Sequence, residues 1–270
     1  MERPQVALIG FGEAGEKFAR AGRWHGHCRG WDIKPERRTL MADCGVETGA
    51  DAKGALQDAG VAISLVTADA ALDAAQAYGS LLPAGALWCD MNSVSPETKR
   101  SAAIAVEAAG GHYVDVAVMA PVDIELRVPL LIAGPKAQAG LELLGALGFS
   151  NARIVGDEVG KAAAIKLIRS VMVKGIEALS EECASAAEAA GVWDEVIDSL
   201  DASDRSDSWA DRIAYNRGRM ALHGHRRAAE MSESAATLEG LGIEPVMTRS
   251  TVEMHRRTAE RMGKKRSCAA

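Results

Sequence analysis

The chain has 270 residues, of which 48% are hydrophobic and 4% aromatic, and its formal net charge is −6. This length suits two domains and allows a substantial core. The negative balance and the scarcity of aromatic side chains disfavour nucleic acid as a partner. No apolar run is long enough to span a bilayer and no signal-peptide pattern is present, so we expect a cytoplasmic protein with no membrane partner.

Two further features of the composition bear on ligands. No two of the five cysteines are close enough for a Cys-x-x-Cys pair, so we predict reduced thiols that mostly fill the core, and no metal site. Residues 211–266 carry 12 Lys and Arg against 7 Asp and Glu, a local net charge of +5. This positive region could attract an anionic small molecule, although a solvated helical surface explains it equally well.

The N-terminal segment QVALIGFGEAG predicts a short strand, a glycine turn and the start of a helix. The first glycine permits a tight turn, the second lets the backbone approach a pyrophosphate, and the third lets the helix pack closely on the strand. The N–H groups at the helix N-terminus then face the phosphates. We therefore predict that a dinucleotide is bound by Gly10, Phe11, Gly12, Glu13, Ala14 and Gly15.

The next element, HCRGWDIKPERR, predicts a second strand that ends at Asp32. An acidic residue at this point accepts hydrogen bonds from the adenosine ribose hydroxyls and repels the 2′-phosphate of NADP. We therefore favour NAD as the cofactor. NADP is the alternative, because Lys34, Arg37 and Arg38 follow closely and could hold a phosphate.

Strand and helix patterns then alternate, which predicts a parallel sheet wound with helices. Strands are expected at 61–67, 86–92, 112–120 and 128–134. Ligands of such sheets lie beyond the carboxyl ends of the strands. This places Val66, Thr67, Asn92 and Ser93 near the cofactor, although Thr67 and Asn92 are equally compatible with ordinary turns.

From Gly160 onward the sequence shows only helical patterns. We predict an N-terminal Rossmann-type domain with a doubly wound, mostly parallel sheet at 1–157, and an all-α domain at 158–270. The longest helical pattern, 160–191, has an apolar face, which we expect to pack within the helical domain. That face consists of Ile165, Ile168, Met172, Ile176 and Leu179.

Four segments in this order resemble the β-hydroxyacid dehydrogenase superfamily, which includes 3-hydroxyisobutyrate and 6-phosphogluconate dehydrogenases. They are GFGEAG, WDIKPE, DMNSVSP at 90–96 and VGKAAAIK at 159–166. The resemblance implies that DMNSVSP borders the nicotinamide ribose and that Lys166 is the catalytic acid/base. It also implies a homodimer formed through the helical domain, here of a less characterised branch.

The chain departs from the superfamily pattern in two segments. Met119, followed by Ala120, replaces a serine that would bind a substrate carboxylate, and Ser170, preceded by Arg169, replaces an asparagine. The segment around Met119 is also similar to the corresponding stretch of imine reductases, which reduce C=N bonds on the same fold. The resemblance therefore leaves the substrate open.

We predict reversible hydride transfer between the nicotinamide cofactor and a small hydroxyacid or related alcohol. Lys166 exchanges the hydroxyl proton, and Ser170, one turn on, contacts the substrate or orients the amine. Two alternatives remain, an imine reductase and a non-catalytic NAD-binding redox sensor. The predicted substrate-binding residues are Met119, Ala120, Arg169, His223 and Arg227.

Overall fold

The computed structural model describes residues 4–203 and 208–267. The chain divides into two compact units, Met1–Ser170 and Val171–Ala270. This division falls within the helix Lys161–Ala190. The domain boundary predicted after residue 157 lies before that helix and stays a prediction.

The first unit is built on a sheet of eight strands among the described residues. In spatial order they run β3-β2-β1-β4-β5-β6-β7-β8, and of the pairs of neighbours among them only β6 and β7 are antiparallel. The order 3-2-1-4-5-6 is that of dinucleotide-binding folds. The strands are β1 Val6–Ile9, β2 Cys28–Trp31, β3 Glu47–Thr48, β4 Val61–Ser64, β5 Leu87–Asp90, β6 His112–Val118, β7 Leu130–Ala133 and β8 Ala152–Gly156.

Helices connect the strands. The helices that begin in this unit are α1 Glu13–Gly22, α2 Pro35–Met41, α3 Ala52–Leu56, α4 Ala71–Tyr78, α5 Pro96–Ala108, α6 Ala137–Ala146 and α7 Lys161–Ala190. Short 3-10 turns lie at Ala42–Cys44, Ala68–Ala70, Gly79–Leu81 and Val122–Arg127. The predicted fold class, a Rossmann-type sheet followed by a helical region, is confirmed.

The sheet is buried on both faces. In β1, Val6 and Leu8 belong to one apolar cluster and Ala7 and Ile9 to another, because successive side chains of a strand point to opposite faces. Near-continuous apolar runs are typical of parallel strands covered on both sides, and this made most strands predictable. The sequence assigned no strand to β8, whose side chains are half-exposed or exposed.

The second unit contains the rest of α7 and three further helices, α8 Trp193–Asp201, α9 Trp209–Gly240 and α10 Val246–Ser267. Small residues bring α9 and α10 together. A Cβ on Gly224 would lie 2.6 Å from the His255 carbonyl oxygen and 2.8 Å from Ala259 Cβ. Among the described residues, no helix has both the length and the hydropathy to cross a bilayer.

The apolar face of α7 is largely uncovered in this chain. Its five predicted members are between 37% and 72% exposed. Val171, on the same helix, is 77% exposed. The expectation that this face packs within the helical region is therefore wrong for the single chain. Amphipathic spacing identifies an apolar side of a helix but not what covers it.

The cysteines follow the prediction in the first unit. Cys28, Cys44 and Cys89 are buried free thiols, whereas Cys183 on α7 is exposed. Burial raises the pKa of the Cys28 and Cys89 thiols to about 12. These thiols therefore stay protonated and behave as small apolar side chains. Cys268 lies outside the described residues.

Candidate cofactor and active site

The glycine turn joins β1 to α1 at the point where the strand order reverses. Gly10 has φ +88°, and a Cβ there would lie 2.7 Å from the Leu65 carbonyl oxygen, so the protein itself requires glycine. A Cβ on Gly15 would lie 3.0 Å from the Gly10 carbonyl oxygen. Gly12 differs, because its Cβ would meet nothing within 4 Å. The space above Gly12 is therefore open to a ligand.

A cavity of about 520 Å³ lies beyond the carboxyl ends of β1, β2 and β4. Of the predicted cofactor residues, it is lined by Gly10, Gly12, Asp32, Val66 and Thr67. The cavity walls are both apolar and charged, as an adenosine with its ribose requires. Other residues that line it are Ile9, Trp31, Ile33, Lys34, Arg37, Leu65, Ala70, Asp73, Ala74, Ala77 and Tyr78.

Asp32 lies at the edge of this cavity with its carboxylate already oriented. Oδ2 accepts the Phe11 N–H at 2.7 Å and Oδ1 accepts the Lys34 N–H at 2.8 Å. Arg38 donates to the Asp32 backbone carbonyl at 2.7 Å, and its guanidinium lies over the Trp31 ring. A carboxylate keeps acceptor capacity beyond two hydrogen bonds, so Asp32 can still bind ribose hydroxyls.

The other predicted residues of the turn have different surroundings. The Phe11 side chain is fully buried in the core and its N–H is taken by Asp32, so Phe11 supports the turn from below. Glu13 and Ala14 open α1, where backbone N–H groups lack intrahelical partners and can face an anion. These positions fit a pyrophosphate that approaches over Gly12.

Lys17 ties α1 to the segment after Pro121. Its ammonium bonds the carboxylates of Asp123 and Glu13. The hydrogen bond with Asp123 and then that with Glu13 raise the pKa of Lys17 above its ordinary value. The side chain therefore stays charged, and it links the helix that follows the glycine turn to the segment that follows Met119.

Lys166 meets Ser93 at the carboxyl end of β5. The Lys166 Nζ donates to Ser93 Oγ at 2.5 Å, although the two residues are 73 positions apart. Ser170 Oγ donates to the Lys166 backbone carbonyl at 3.0 Å, while Arg169 is exposed. The structure thus brings a predicted acid/base residue together with a hydroxyl from the segment DMNSVSP.

Asn92 follows β5, and Met119 follows the neighbouring strand β6. Asn92 is 5% exposed, and its Nδ2 donates to Ser64 Oγ at 2.9 Å. Its Oδ1 is buried and accepts no hydrogen bond from the described residues. Met119 packs on a small apolar cluster that includes Ala162, and its N–H donates to the Pro129 carbonyl. Ala120, the next predicted residue, is half-buried.

A buried network of charges lies behind Ser93 and Lys166. Lys99, on α5, is fully buried between Asp90 and Asp115, the residues that pair in register on β5 and β6. Tyr113 donates to Asp90 Oδ2 at 2.5 Å, and burial followed by the charge of Asp90 raises the pKa of Tyr113 above its ordinary range. Asp115 Oδ2 accepts the N–H of Gly160 at 3.0 Å.

Sequence reasoning missed Lys99 and left Ser93 out of the predicted catalytic residues. One feature of the sequence indicated that Lys99 is buried. Lys99 occupies the first position of an otherwise apolar i, i+3, i+4, i+7 stripe with Ala102, Ala103 and Val106, all three buried. A lysine on such a stripe needs a buried partner, and the neighbouring strands β5 and β6 supply two aspartates.

His223 and Arg227 lie on α9, in the second unit. His223 is exposed and Arg227 is half-buried. Burial, with the charge of Arg227, lowers the pKa of His255 on α10. The predicted role of His223 and Arg227 in binding a substrate stays a prediction.

Comparison with known proteins places this geometry in a family. The family model described as the NAD binding domain of 6-phosphogluconate dehydrogenase matches residues 5–139, which is half of the chain. The chain belongs to this family. The glycine turn and Asp32 fall within the matched residues. A second model, a domain of unknown function (DUF1932), matches residues 187–258.

Solved structures agree with the family assignment. A conserved hypothetical protein from Sinorhizobium meliloti 1021 is 37% identical, with 94% of this chain and 88% of that chain covered and a TM-score of 0.63. Conserved protein MTH1747, described as structurally similar to 3-hydroxyacid dehydrogenases, is 28% identical, with 94% and 96% covered and a TM-score of 0.62. The resemblance to the β-hydroxyacid dehydrogenases is thereby confirmed.

An imine reductase from Myxococcus stipitatus, solved in complex with NADP+, shares the fold at 18% identity, with 96% and 95% covered and a TM-score of 0.75. At this identity the likeness concerns the fold alone. The chain therefore has an NAD(P)-binding, hydroxyacid dehydrogenase-like fold of the oxidoreductase type.

Proposed function

We propose that this protein is an NAD(P)-dependent oxidoreductase that transfers hydride between the cofactor and a small hydroxyacid or related alcohol. Lys166 is the general acid/base. The observation that carries the proposal is the hydrogen bond between Lys166 Nζ and Ser93 Oγ, in a chain whose NAD-binding fold places Ser93 after a strand of the cofactor sheet. A redox sensor without catalysis needs no such pair.

The residues present fit a dinucleotide. Gly12 leaves open space where a pyrophosphate would lie, and the first turn of α1 supplies N–H donors. Asp32 would hold the ribose, and Val66 and Thr67 would line the cavity beyond it. When bound, the cofactor supplies or accepts the hydride, while the protein orients it and manages the proton.

Asp32 supports NAD as the preferred cofactor, because its carboxylate would repel a 2′-phosphate. Lys34 and Arg37 line the same cavity and could partly offset that repulsion, so NADP is the alternative. The Myxococcus stipitatus imine reductase was solved with NADP+, and it supports keeping that alternative in any assay. Parallel titrations with the two cofactors measure the preference directly.

The proton chemistry falls to Lys166. In oxidation of an alcohol its neutral amine takes the hydroxyl proton, and in reduction its ammonium returns it. Ser93 Oγ accepts the N–H of Lys166 and so fixes the direction of the amine. The Ser170 hydroxyl donates to the Lys166 carbonyl, so it supports the helix turn under Lys166, and its oxygen can still accept a hydrogen bond from substrate.

Reduction of a C=N bond is the second candidate function. Met119 favours it, because its side chain packs among alanines and leucine where the hydroxyacid pattern has a carboxylate-binding serine. An uncharged imine needs no such serine. A panel of hydroxyacids, polyols and cyclic imines, followed by the absorbance of the reduced nicotinamide, separates the two functions.

We further propose that the protein acts on a small molecule as a homodimer that forms through the helical unit. The apolar face of α7 supports this, since Met172 is 42% and Ile176 is 44% exposed. A surface with this many exposed apolar side chains is typical of an interface. His223 and Arg227, on α9, are the proposed anion-binding residues of the substrate site.

The substitution Lys166→Met tests the catalytic role. It removes the amine and keeps most of the side-chain volume, so we expect turnover to fall by about 10²-fold or more while cofactor affinity is retained. Lys174→Met is the matched control, because Lys174 is exposed on the same helix. Turnover and cofactor Kd are measured for both variants with the best substrate of the panel.

Retained turnover in Lys166→Met would contradict the assignment of the acid/base. Cofactor binding by the unaltered protein without turnover across the whole panel would favour the redox sensor instead. A control variant that loses as much turnover as Lys166→Met would show that the effect comes from charge or folding.

A further inference from the structure

Lys99 is the only lysine among the described residues that is fully buried, with 0% of its surface exposed. Its Nζ donates to the Asp90 carbonyl oxygen at 2.6 Å and lies 3.0 Å from Asp90 Oδ1 and 3.5 Å from Asp115 Oδ1. A buried ammonium is costly unless it is paired. Removal of the ammonium alone would leave two buried carboxylates without a cation, so the three side chains form one coupled group.

The two carboxylates each hold a different segment of the proposed active site. Asp90 Oδ1 accepts the N–H of Asn92 at 2.8 Å, immediately before Ser93. Asp115 Oδ2 accepts the N–H groups of Gly160, Ala162 and Ala163 at 3.0 to 3.2 Å. These amides form the first turn of α7, and Lys166 lies one turn further along the same helix.

The two segments are also in direct contact. A Cβ on Gly160 would lie 2.9 Å from Pro96 Cβ and 3.0 Å from the Pro96 carbonyl oxygen. The loop that carries Ser93 leads into α5 at Pro96, and α7 begins after Gly160. A shift of either segment therefore changes the distance between Ser93 and Lys166.

Asp90 and Asp115 are neighbours in register on adjacent strands, on the same face of the sheet. Two carboxylates this close repel each other. The ammonium of Lys99 lies 3.0 Å from Asp90 Oδ1 and 3.5 Å from Asp115 Oδ1 and offsets this repulsion. The two side chains can therefore keep the positions from which they accept the N–H groups of Asn92 and of the start of α7.

We propose that Lys99 is a positioning residue that, by pairing with both Asp90 and Asp115, holds Ser93 and Lys166 within hydrogen-bond distance of each other. The inference rests on the function proposed above. Lys99 itself does not touch the reacting atoms in this scheme. It acts through the two aspartates, and its removal misplaces Lys166.

The test compares Lys99→Met with a double variant, Lys99→Met with Asp115→Asn. The single variant leaves two carboxylates without a cation. In the double variant one negative charge remains in excess, as in the unaltered protein with two carboxylates and one ammonium. The amide oxygen of asparagine can also still accept the α7 N–H groups. Lys136→Met, at an exposed lysine, is the control.

Two readouts are measured on the full chain. In Lys99→Met we expect kcat to fall roughly 10–100-fold with the Kd for NAD unchanged, because a small misplacement of the acid/base slows the chemical step. Without any cofactor, hydrogen exchange should accelerate at the amides of Gly160, Ala162 and Ala163, and not in β1. The double variant should restore slow exchange and bring kcat to within about tenfold of the unaltered protein.

Unchanged kcat in a folded Lys99→Met, or exchange at these amides as slow as in the unaltered protein, overturns the inference. Where the single variant does not fold, the double variant decides the question. A folded double variant with kcat lowered by more than about tenfold also overturns the inference. Absence of turnover in the unaltered protein would instead reject the proposed function, and the exchange comparison would still test the role of Lys99.

Discussion

The two units of this chain bury their apolar side chains in different ways. In the first unit both faces of the sheet are covered, and large side chains such as Trp24, Trp88 and Phe18 are at most 1% exposed. In the second unit the buried apolar side chains among the described residues are small, mostly alanines on α7, α9 and α10. Large side chains of that unit, such as Leu200 and Leu222, are more than half exposed.

This difference explains why short sequence motifs identify a ligand site in the first unit but not in the second. In the first unit a ligand site arises from backbone features, a glycine turn and the carboxyl ends of strands, and short motifs encode both. In the second unit long helices meet through small residues, so their large side chains are presented outward. What those side chains meet is determined by surfaces that no local motif describes.

The largest expected effect concerns the glycine turn, where substitutions of Gly10 and Gly12 should separate folding from cofactor binding. Gly10→Ala places a side chain at φ +88° and 2.7 Å from the Leu65 carbonyl. We expect a loss of stability on the order of 3 kcal/mol and loss of cofactor binding. Gly12→Ala meets nothing within 4 Å, so we expect near-normal stability but cofactor affinity lowered by about 100-fold.

Thermal unfolding and calorimetric titration with NAD measure the two effects for both glycine variants. Equal destabilisation by the two substitutions would show that Gly12 is required by the fold and not by a ligand. Unchanged cofactor affinity in Gly12→Ala would show that the pyrophosphate does not bind at this turn.

Much of the first unit could be predicted from the sequence, for a physical reason. Its strands are short apolar runs separated by turns, and the glycine spacing has one structural context that suits it. The prediction missed β8 because its side chains are half-exposed, so no apolar run marks it. The prediction that the apolar face of α7 packs within the helical domain was also wrong, because an amphipathic pattern does not show what contacts the face.

The candidate site was predictable only in part. Gly12, Asp32 and Thr67 line the cavity because each lies within three residues of the end of a strand. The pairing of Lys166 with Ser93 depends on which strands are neighbours, and local patterns do not encode that. The apolar stripe on α5 indicated that Lys99 is buried, but its partners Asp90 and Asp115 lie on two strands whose pairing the local sequence does not encode.

The second prediction tests whether the outward-facing side chains of α7 form an interface between copies. Ile176→Glu puts a charge on a side chain that is 44% exposed in the single chain. Burial of an unpaired charge disfavours association, so we expect the dimer Kd to rise roughly 10–100-fold, about 1.4–2.7 kcal/mol. Sedimentation velocity over a range of concentrations measures it.

Ala178→Glu is the matched control for the interface. Ala178 is also exposed, but it lies two residues on, roughly 200° around the helix from Ile176. Its substitution should leave the association state unchanged. A protein that is monomeric before any substitution would refute the homodimer, and equal effects of the two variants would indicate general charge repulsion.

The smallest expected effect concerns Glu182, the buried polar anchor of the second unit. Glu182 on α7 is 9% exposed and accepts the N–H groups of Met247 and Thr248 at the start of α10. Burial alone would raise its pKa, but the hydrogen bonds from Thr248 and from these amides outweigh burial and lower the pKa of Glu182.

A carboxyl group with a lowered folded-state pKa stabilises the fold above its unfolded pKa, about 4.3, and loses that contribution as the pH falls through the folded value. We therefore expect Glu182→Gln to lower the free energy of unfolding by about 1–2 kcal/mol at neutral pH. The difference from the unaltered protein should shrink as the pH falls below about 4.

Glu188→Gln, at an exposed carboxylate of the same helix, should change stability by less than about 0.5 kcal/mol. Denaturant unfolding at neutral and acid pH measures both variants, and a difference that stays constant with pH would show that the charge of Glu182 does not anchor α10.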